Sequence, residues 1–281
     1  MNHNLININK QFFEDNGYLL VKNVFTPSEI DQLRKKTYKQ YEIDQQKKLS
    51  YELSQFLIKA KYTKGDLLSK DLLRHVLLDD RILKIARTIL GNDHLIYFGD
   101  SSYQIGTGMR GFHRDNIDRT DLNGPDWKGK YTLIRLAIYL QDHKIHSGGL
   151  KIKVGSHKNS DGPVVFVDSE VGDVVIWSLK SLHSGNAVRL KWFPAYSINT
   201  SGKERLVPSF LKNEQQLERI SLFMTFALKS SHLDRYLNEN ILKRTDTLEH
   251  TKASKFDIGV MELAKQKNIE VLKPIPEYGA Q

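Results

Sequence analysis

A mostly β fold with helical additions at both ends is predicted by three observations. From about residue 94, short apolar or alternating stretches follow one another: LIYFG, SSYQI, YTLIRLAIYL, LKIKV, VVFVD, DVVIWSL and RISLFMTFAL, separated by Gly, Asn, Asp and Pro. Many short strands punctuated in this way indicate a sandwich or barrel. Residues 66–90 instead place Leu68, Leu72, Leu73, Val76, Leu77, Ile82, Ile85, Ile89 and Leu90 at helical spacing, closed by Gly91-Asn92, which predicts two helices. Beyond about 232 the chain turns polar and helical again. The 281 residues are read as a single domain: support at 1–92, a strand core at 93–230 with an insertion at 187–216, and a helical extension at 231–281.

The amino-terminal segment reads helix, strand, helix. Phe12 and Phe13 lead to Gly17 and the run Tyr18 to Phe25, whose aromatic and β-branched content suits a strand. Thr26-Pro27-Ser28-Glu29 then has the form of a capping box with proline at the first helical position. A helix over about 27–46 follows. The end, KPIPEYGAQ, reads as a tail, and the chain contains neither an internal repeat nor a low-complexity tract.

Composition bounds the chemistry. Hydrophobic residues make up 40% of the chain and aromatics 10%, which supports a substantial core. With no cysteine there is neither a disulfide framework nor a thiolate metal site, so any metal rests on His, Asp or Glu. No apolar run approaches the roughly 20 residues of a membrane span, and the start lacks a signal-peptide core, so a cytoplasmic location is expected. The formal net charge of +9 permits an anionic small molecule, a lipid or glycan head group, or peripheral membrane contact as partner. A solvated basic surface is the simpler account, and no nucleic acid is expected.

The central feature is Phe112-His113-Arg114-Asp115-Asn116. In an extended segment residues i and i+2 share a face, so His113 and Asp115 can offer an imidazole nitrogen and a carboxylate to one cation. A third candidate, His183, ends the strand-and-loop segment that begins at Gly172-Asp173. Two histidines and one carboxylate form a facial triad that leaves positions open for a co-substrate and O2. Other signals carry less. Gly106-Thr107-Gly108-Met109-Arg110-Gly111 matches a dinucleotide-loop pattern, yet it runs into the H-x-D, and is read as a turn. His113-Arg114-Asp115 also spells a kinase catalytic loop, but Thr120 stands where asparagine is required. His143 and His146 are read as solvated loop residues, and His157 as a turn residue.

The block at 12–34, the H-x-D, the segment from Ser147-Gly148-Gly149-Leu150 to Gly155-Ser156-His157, and the Gly172-Asp173 strand ending in His183 occur in one order. In that order the chain resembles the phytanoyl-CoA dioxygenase family over roughly residues 10–228. The resemblance implies a double-stranded β-helix, or jelly-roll/cupin-like core, packed by the amino-terminal helices. It implies Fe(II) on His113, Asp115 and His183, with 2-oxoglutarate and O2 as co-substrates and a downstream arginine gripping the distal carboxylate. Arg219, which opens RISLFMTFA, is preferred for that grip over Arg189, only six residues past His183, because a strand fixes side-chain direction. Arg135 and Gln104 are further candidates around the co-substrate. Arg110, Arg189 and Trp192 are candidates around the substrate, and the insertion is read as a lid whose Arg189, Lys191 and Trp192 lie nearest the metal. Because Asp115 retains the carboxylate that related halogenases replace, hydroxylation is expected. The competing readings are a cupin-like hydrolase or isomerase that does not use 2-oxoglutarate, and a jelly-roll binding module without catalysis.

Overall fold

The structure, a computed structural model, describes residues 6–55, 58–108, 111–196, 198 and 201–273. In chain order the elements are α1 Lys10–Asn16, β1 Tyr18–Val21, α2 Pro27–Gln46, β2 Ser50–Gln55, β3 Ile58–Thr63, α3 Arg74–Leu77, α4 Asp80–Leu90, β4 Leu95–Tyr97, β5 Ser101–Thr107 and β6 Leu133–Tyr139. They continue with β7 Lys151–Lys153, β8 Val164–Phe166, β9 Val174–Ser178, β10 His183–Ser184, α5 Ser201–Arg205, β11 Ile220–Ala227, α6 Ser231–Tyr236, α7 Thr245–Ala253, α8 Ile258–Gln266 and β12 Ile269–Val271.

Local chemistry accounts for the first elements. Asn9 caps α1 through Phe12 N, and Gly17 closes it in the left-handed region at φ 81°. The capping box is present as the sequence predicts, with the Thr26 side chain accepting from Glu29 N and the Glu29 carboxylate from Thr26 N. The strand after Gly17 stops at Val21 rather than Phe25. Asn23 turns to a positive φ of 55° and donates its N–H to Asp173 Oδ1, which takes the chain off the sheet.

The strands alternate between two antiparallel layers. The large sheet runs β1-β9-β6-β11-β5-β3-β2, with β4 on the far end of β11 and β12 alongside β4. The small sheet runs β10-β7-β8, and His113 adds to its β10 edge by exchanging both backbone hydrogen bonds with His183. The chain therefore passes from β5 to the His113 segment, back to β6, across to β7 and β8, back to β9, across to β10 and back to β11. That alternation is a double-stranded β-helix. Both faces of the large sheet are covered, so its strands read as almost continuous apolar runs. Leu136, Ile138, Val174, Ile176, Leu222 and Met224 face the core shared with α2 and α4. Ala137, Tyr139, Val175 and Trp177 face Leu150 and Ile152 between the sheets.

Three features were not read from the sequence. The β2–β3 hairpin widens the large sheet beyond β5, and β12, three residues long, pairs in parallel with β4. Gly106 lies inside β5 rather than in a turn, paired with Ala60 of β3 and donating its N–H to Arg219 O, and only glycine fits there, because a Cβ would come within 2.2 Å of the Lys59 carbonyl oxygen.

The two loop histidines divide. His146 pairs with Asp142 at 3.0 Å near the surface. His143, expected to be solvated, is buried instead: its ring meets Ser147 O at 3.0 Å and the Gln141 amide at 2.8 Å. Gly148 and Gly149 lie so close that a Cβ on either would come within 2.8 Å of the His143 side chain, at the ring Cε1 for Gly148 and at Cβ for Gly149. Burial, aided by the nearby charge of Arg219, lowers the His143 pKa to about 3. An unfolded histidine titrates near 6.5, so the stabilisation is fully present above that pH and is lost as pH falls toward 3. Denaturant melts at pH 7, 5.5 and 4 are expected to show this loss, with a shallower slope in His143→Gln.

Candidate metal centre

His113, Asp115 and His183 come together between the sheets. One ligand atom from each lies within 4.8 Å of the others, and the imidazole rings sit 4.4 Å apart centre to centre. His113 Nε2 is 3.6 Å from Asp115 Oδ1, and His183 Nε2 is 3.6 Å from Asp115 Oδ2. Each Nδ1 meets a backbone carbonyl, that of Gly111 for His113 at 2.8 Å and that of Ser181 for His183 at 2.9 Å. Such bonds put the proton on Nδ1 and leave the Nε2 lone pair directed at a cation. His183 is buried, and burial lowers its pKa to about 4, so it stays neutral and able to ligate near pH 7. His113 is half exposed, which leaves one side of the metal position open. The donor set fits a divalent iron with vacant positions for a chelating acid and O2.

The carboxylate is held from behind. Arg135 donates to Asp115 Oδ2 at 2.9 Å, to Asp100 Oδ2 at 2.7 Å and to Thr225 Oγ1 at 3.1 Å, and Tyr236 donates to the same Asp100 oxygen at 3.1 Å. Burial opposes ionisation of Asp115, but Arg135 and the two imidazoles outweigh it and hold the carboxyl below its ordinary range. This corrects the reading of Arg135 as a co-substrate contact: its guanidinium is occupied by Asp115, Asp100 and Thr225. Asp100, Thr225 and Tyr236 went unread because nothing local marks them; only the sheet register places Thr225 opposite Arg135. The segment after the ligands is pinned as well, since Asp126 Oδ2 accepts from Asn116 Nδ2, Ile117 N and Asp118 N.

The remaining candidates separate by position. Arg219 continues the inward-facing series Ser221, Phe223 and Thr225 at the start of β11. It donates to Gly148 O at 2.8 Å and Ser221 Oγ at 3.0 Å, with its guanidinium over the Tyr139 ring. Gln104 lies opposite Ser221 on β5 and donates to Tyr62 Oη at 3.3 Å. Arg110 lies outside the described residues. Arg189 is corrected: it is buried against Phe166, paired with Asp168 and bonded to Pro194 O, so it ties the insertion to the β8 edge and is not available to a substrate. Trp192 stands in solvent at 68% exposure. The insertion packs on the outer face of the small sheet, where Glu204 of α5 pairs with Lys151 of β7 at 2.7 Å with both side chains fully buried.

Comparisons with known proteins agree with this architecture. No curated protein matches the chain. Among solved structures, the carbocyclase SnoK from nogalamycin biosynthesis superimposes with a TM-score of 0.55 at 16% identity, over 80% of this chain and 88% of that one. The epimerase SnoN of the same biosynthesis gives 0.54 at 16%, over 77% and 80%. HygX from Streptomyces hygroscopicus, solved with nickel, 2-oxoglutarate and hygromycin B, gives 0.54 at 14%, over 77% and 85%. At these identities the likeness is one of fold. Residues 13–189 match the phytanoyl-CoA dioxygenase (PhyH) family model, a span that contains the whole triad. The ordered blocks read from the sequence and the strand alternation around His113, Asp115 and His183 thus have one source: this chain belongs to the phytanoyl-CoA dioxygenase family.

Proposed function

We propose that the chain is an Fe(II)- and 2-oxoglutarate-dependent oxygenase that hydroxylates a C–H bond of a small molecule. The observation that carries this reading is the convergence of His113, Asp115 and His183 with both Nδ1 positions bonded to carbonyls. Iron, 2-oxoglutarate and O2, when bound, would supply an oxidant for C–H bonds, with one oxygen atom of O2 passing into the succinate formed as CO2 leaves and the other into the hydroxyl of the product. The chain's part is to hold and to exclude. The triad fixes the metal, Arg135 keeps Asp115 ionised and oriented, and Arg219 with Ser221 receives the distal carboxylate of 2-oxoglutarate in a charge-assisted pair. Gln104 lines the same side. Trp177, whose ring centre lies 5.3 Å from that of His183, walls the metal from water.

The test is Fe(II)- and ascorbate-supported succinate release. Arg219→Ala is expected to raise the KM for 2-oxoglutarate by about 10- to 100-fold, the size of a lost charge-assisted pair, while metal affinity stays unchanged. A response to an Arg189 substitution instead would move the anchor. Turnover that needs neither O2 nor 2-oxoglutarate would favour a cupin-like hydrolase.

For the substrate, the best-placed cavity, of about 510 Å3, is lined by Tyr51, Tyr62, Ser102, Asp100, Asp246 and Glu249, among others. Asp100 joins it to the Arg135–Asp115 pair. Tyr51 and Tyr62 stack with ring centres 5.5 Å apart, and Asp246 and Glu249 are engaged by Arg244 and Lys64. Stacked rings and carboxylates suit a hydroxyl-rich ring better than the anion suggested by net charge alone. A metabolite screen scored by succinate release is expected to return polyhydroxylated compounds first; a list of anions would reverse this choice.

A further inference from the structure

A second cavity, of about 570 Å3, lies behind the metal-bearing segment, bounded by α1, the end of α4 and the start of β6. Its floor is apolar, made by Phe13, Ile89, Leu90 and Ile134. Lys180, three residues before His183, lines it and is about nine-tenths buried. The Lys180 ammonium lies 5.0 Å from the centre of the Trp127 ring and 5.4 Å from that of Tyr131, and among the described residues it has neither a hydrogen bond nor a carboxylate within salt-bridge distance. Burial lowers its pKa, and the two rings and the more distant charge of Asp126 offset that burial only in part. The surroundings add positive charge: Arg114 lies over the same Trp127 ring at 5.2 Å, and Lys130 and Lys158 stand at the rim, Lys158 paired with Asp15 at 3.5 Å, while among the described residues Glu14 is the one carboxylate in the lining.

We propose that this cavity binds an amphipathic anion, its carboxylate or phosphate paired with the Lys180 ammonium and its apolar body laid against Phe13, Ile89 and Leu90. The site is separate from the metal centre. Because His113 and Asp115 point inward, Arg114 between them points outward, and its Nε donates to Lys180 O at 3.0 Å. The inference does not depend on the oxygenase reading.

Calorimetry on the full-length, iron-loaded protein with saturating 2-oxoglutarate tests it, using decanoate, decyl phosphate, decanol and decyltrimethylammonium below their micellar concentrations. Both anions are expected to bind at least about tenfold more tightly than the alcohol or the cation, the scale of one charge-assisted contact. Comparison of the two anions identifies the preferred head group. Lys180→Met is expected to remove that preference while leaving decanol binding unchanged. Should this variant not fold, Lys130→Glu combined with Lys158→Glu at the exposed rim decides, with at least about a threefold loss for the anions expected. Equal affinity for decanol and decanoate, or anion binding unmoved in the folded variant, overturns the proposal and leaves Lys180 a cation resting on two rings. Succinate release, measured on the same samples, reports separately on the proposed oxygenase activity.

Discussion

Replacing Asp115 by alanine is expected to abolish tight Fe(II) binding and to reduce 2-oxoglutarate turnover by more than about 100-fold, a greater loss than is usual for groups that only orient a ligand. The carboxylate contributes the sole negative charge of the triad, and its two oxygens lie 3.6 Å from the two Nε2 atoms. The same substitution strips Arg135 of one of its two carboxylates inside the protein, so some stability is lost as well. Asp115→Asn, which keeps the shape, separates these effects. Arg135→Met should then reduce metal affinity by about 10- to 100-fold without removing a ligand, because Asp115 loses both its orientation and the charge that keeps it ionised. Titration of each variant with Fe(II) under anaerobic conditions, paired with a thermal melt, reads both quantities. Unchanged metal affinity in Asp115→Ala would remove the triad from consideration as the metal site.

The second large effect is structural. Glu204→Ala is expected to cost about 3–5 kcal/mol, because it leaves the fully buried Lys151 ammonium without its carboxylate. It also deprives Val188 N of its acceptor, Glu204 Oε1 at 2.9 Å. Coulomb attraction in such a place is offset by desolvation, so the pair itself contributes little; the damage comes from breaking half of it. Lys151→Met combined with Glu204→Leu should therefore recover the part of the loss that comes from the stranded charge, while the part from Val188 N remains. Lys151 also lies over the ring of Phe112, the residue before His113, so the single variant should loosen the metal segment as well. Urea unfolding with an unchanged m-value measures the cost. A loss below about 1 kcal/mol would mean that the insertion is not pinned to the small sheet.

What could be read in the sequence was local. The capping box at Thr26, the helix to Gln46, the strand series from Leu95 and the shared face of His113 and Asp115 all follow from spacing of a few residues, where backbone geometry leaves little choice. His183 needed the ordered blocks of a family in addition, since a lone histidine after a strand has no signature. The roles of Arg135 and Arg189 were misread because a charged residue's partners lie far along the chain: Asp100 and Asp115 for one, Asp168 and the Pro194 carbonyl for the other. His143 looked like a solvated loop residue, and only the close approach of Gly148 and Gly149 buries it.

By itself, then, the sequence determined which elements form and which side chains can share a face, because those properties depend on neighbours within one turn or one strand. The tertiary structure alone decided which buried charges meet, where the insertion packs and which cavities open beside Asp100 and Lys180. Those outcomes depend on sheet register and on the desolvation of groups far apart in sequence, and no local pattern encodes either.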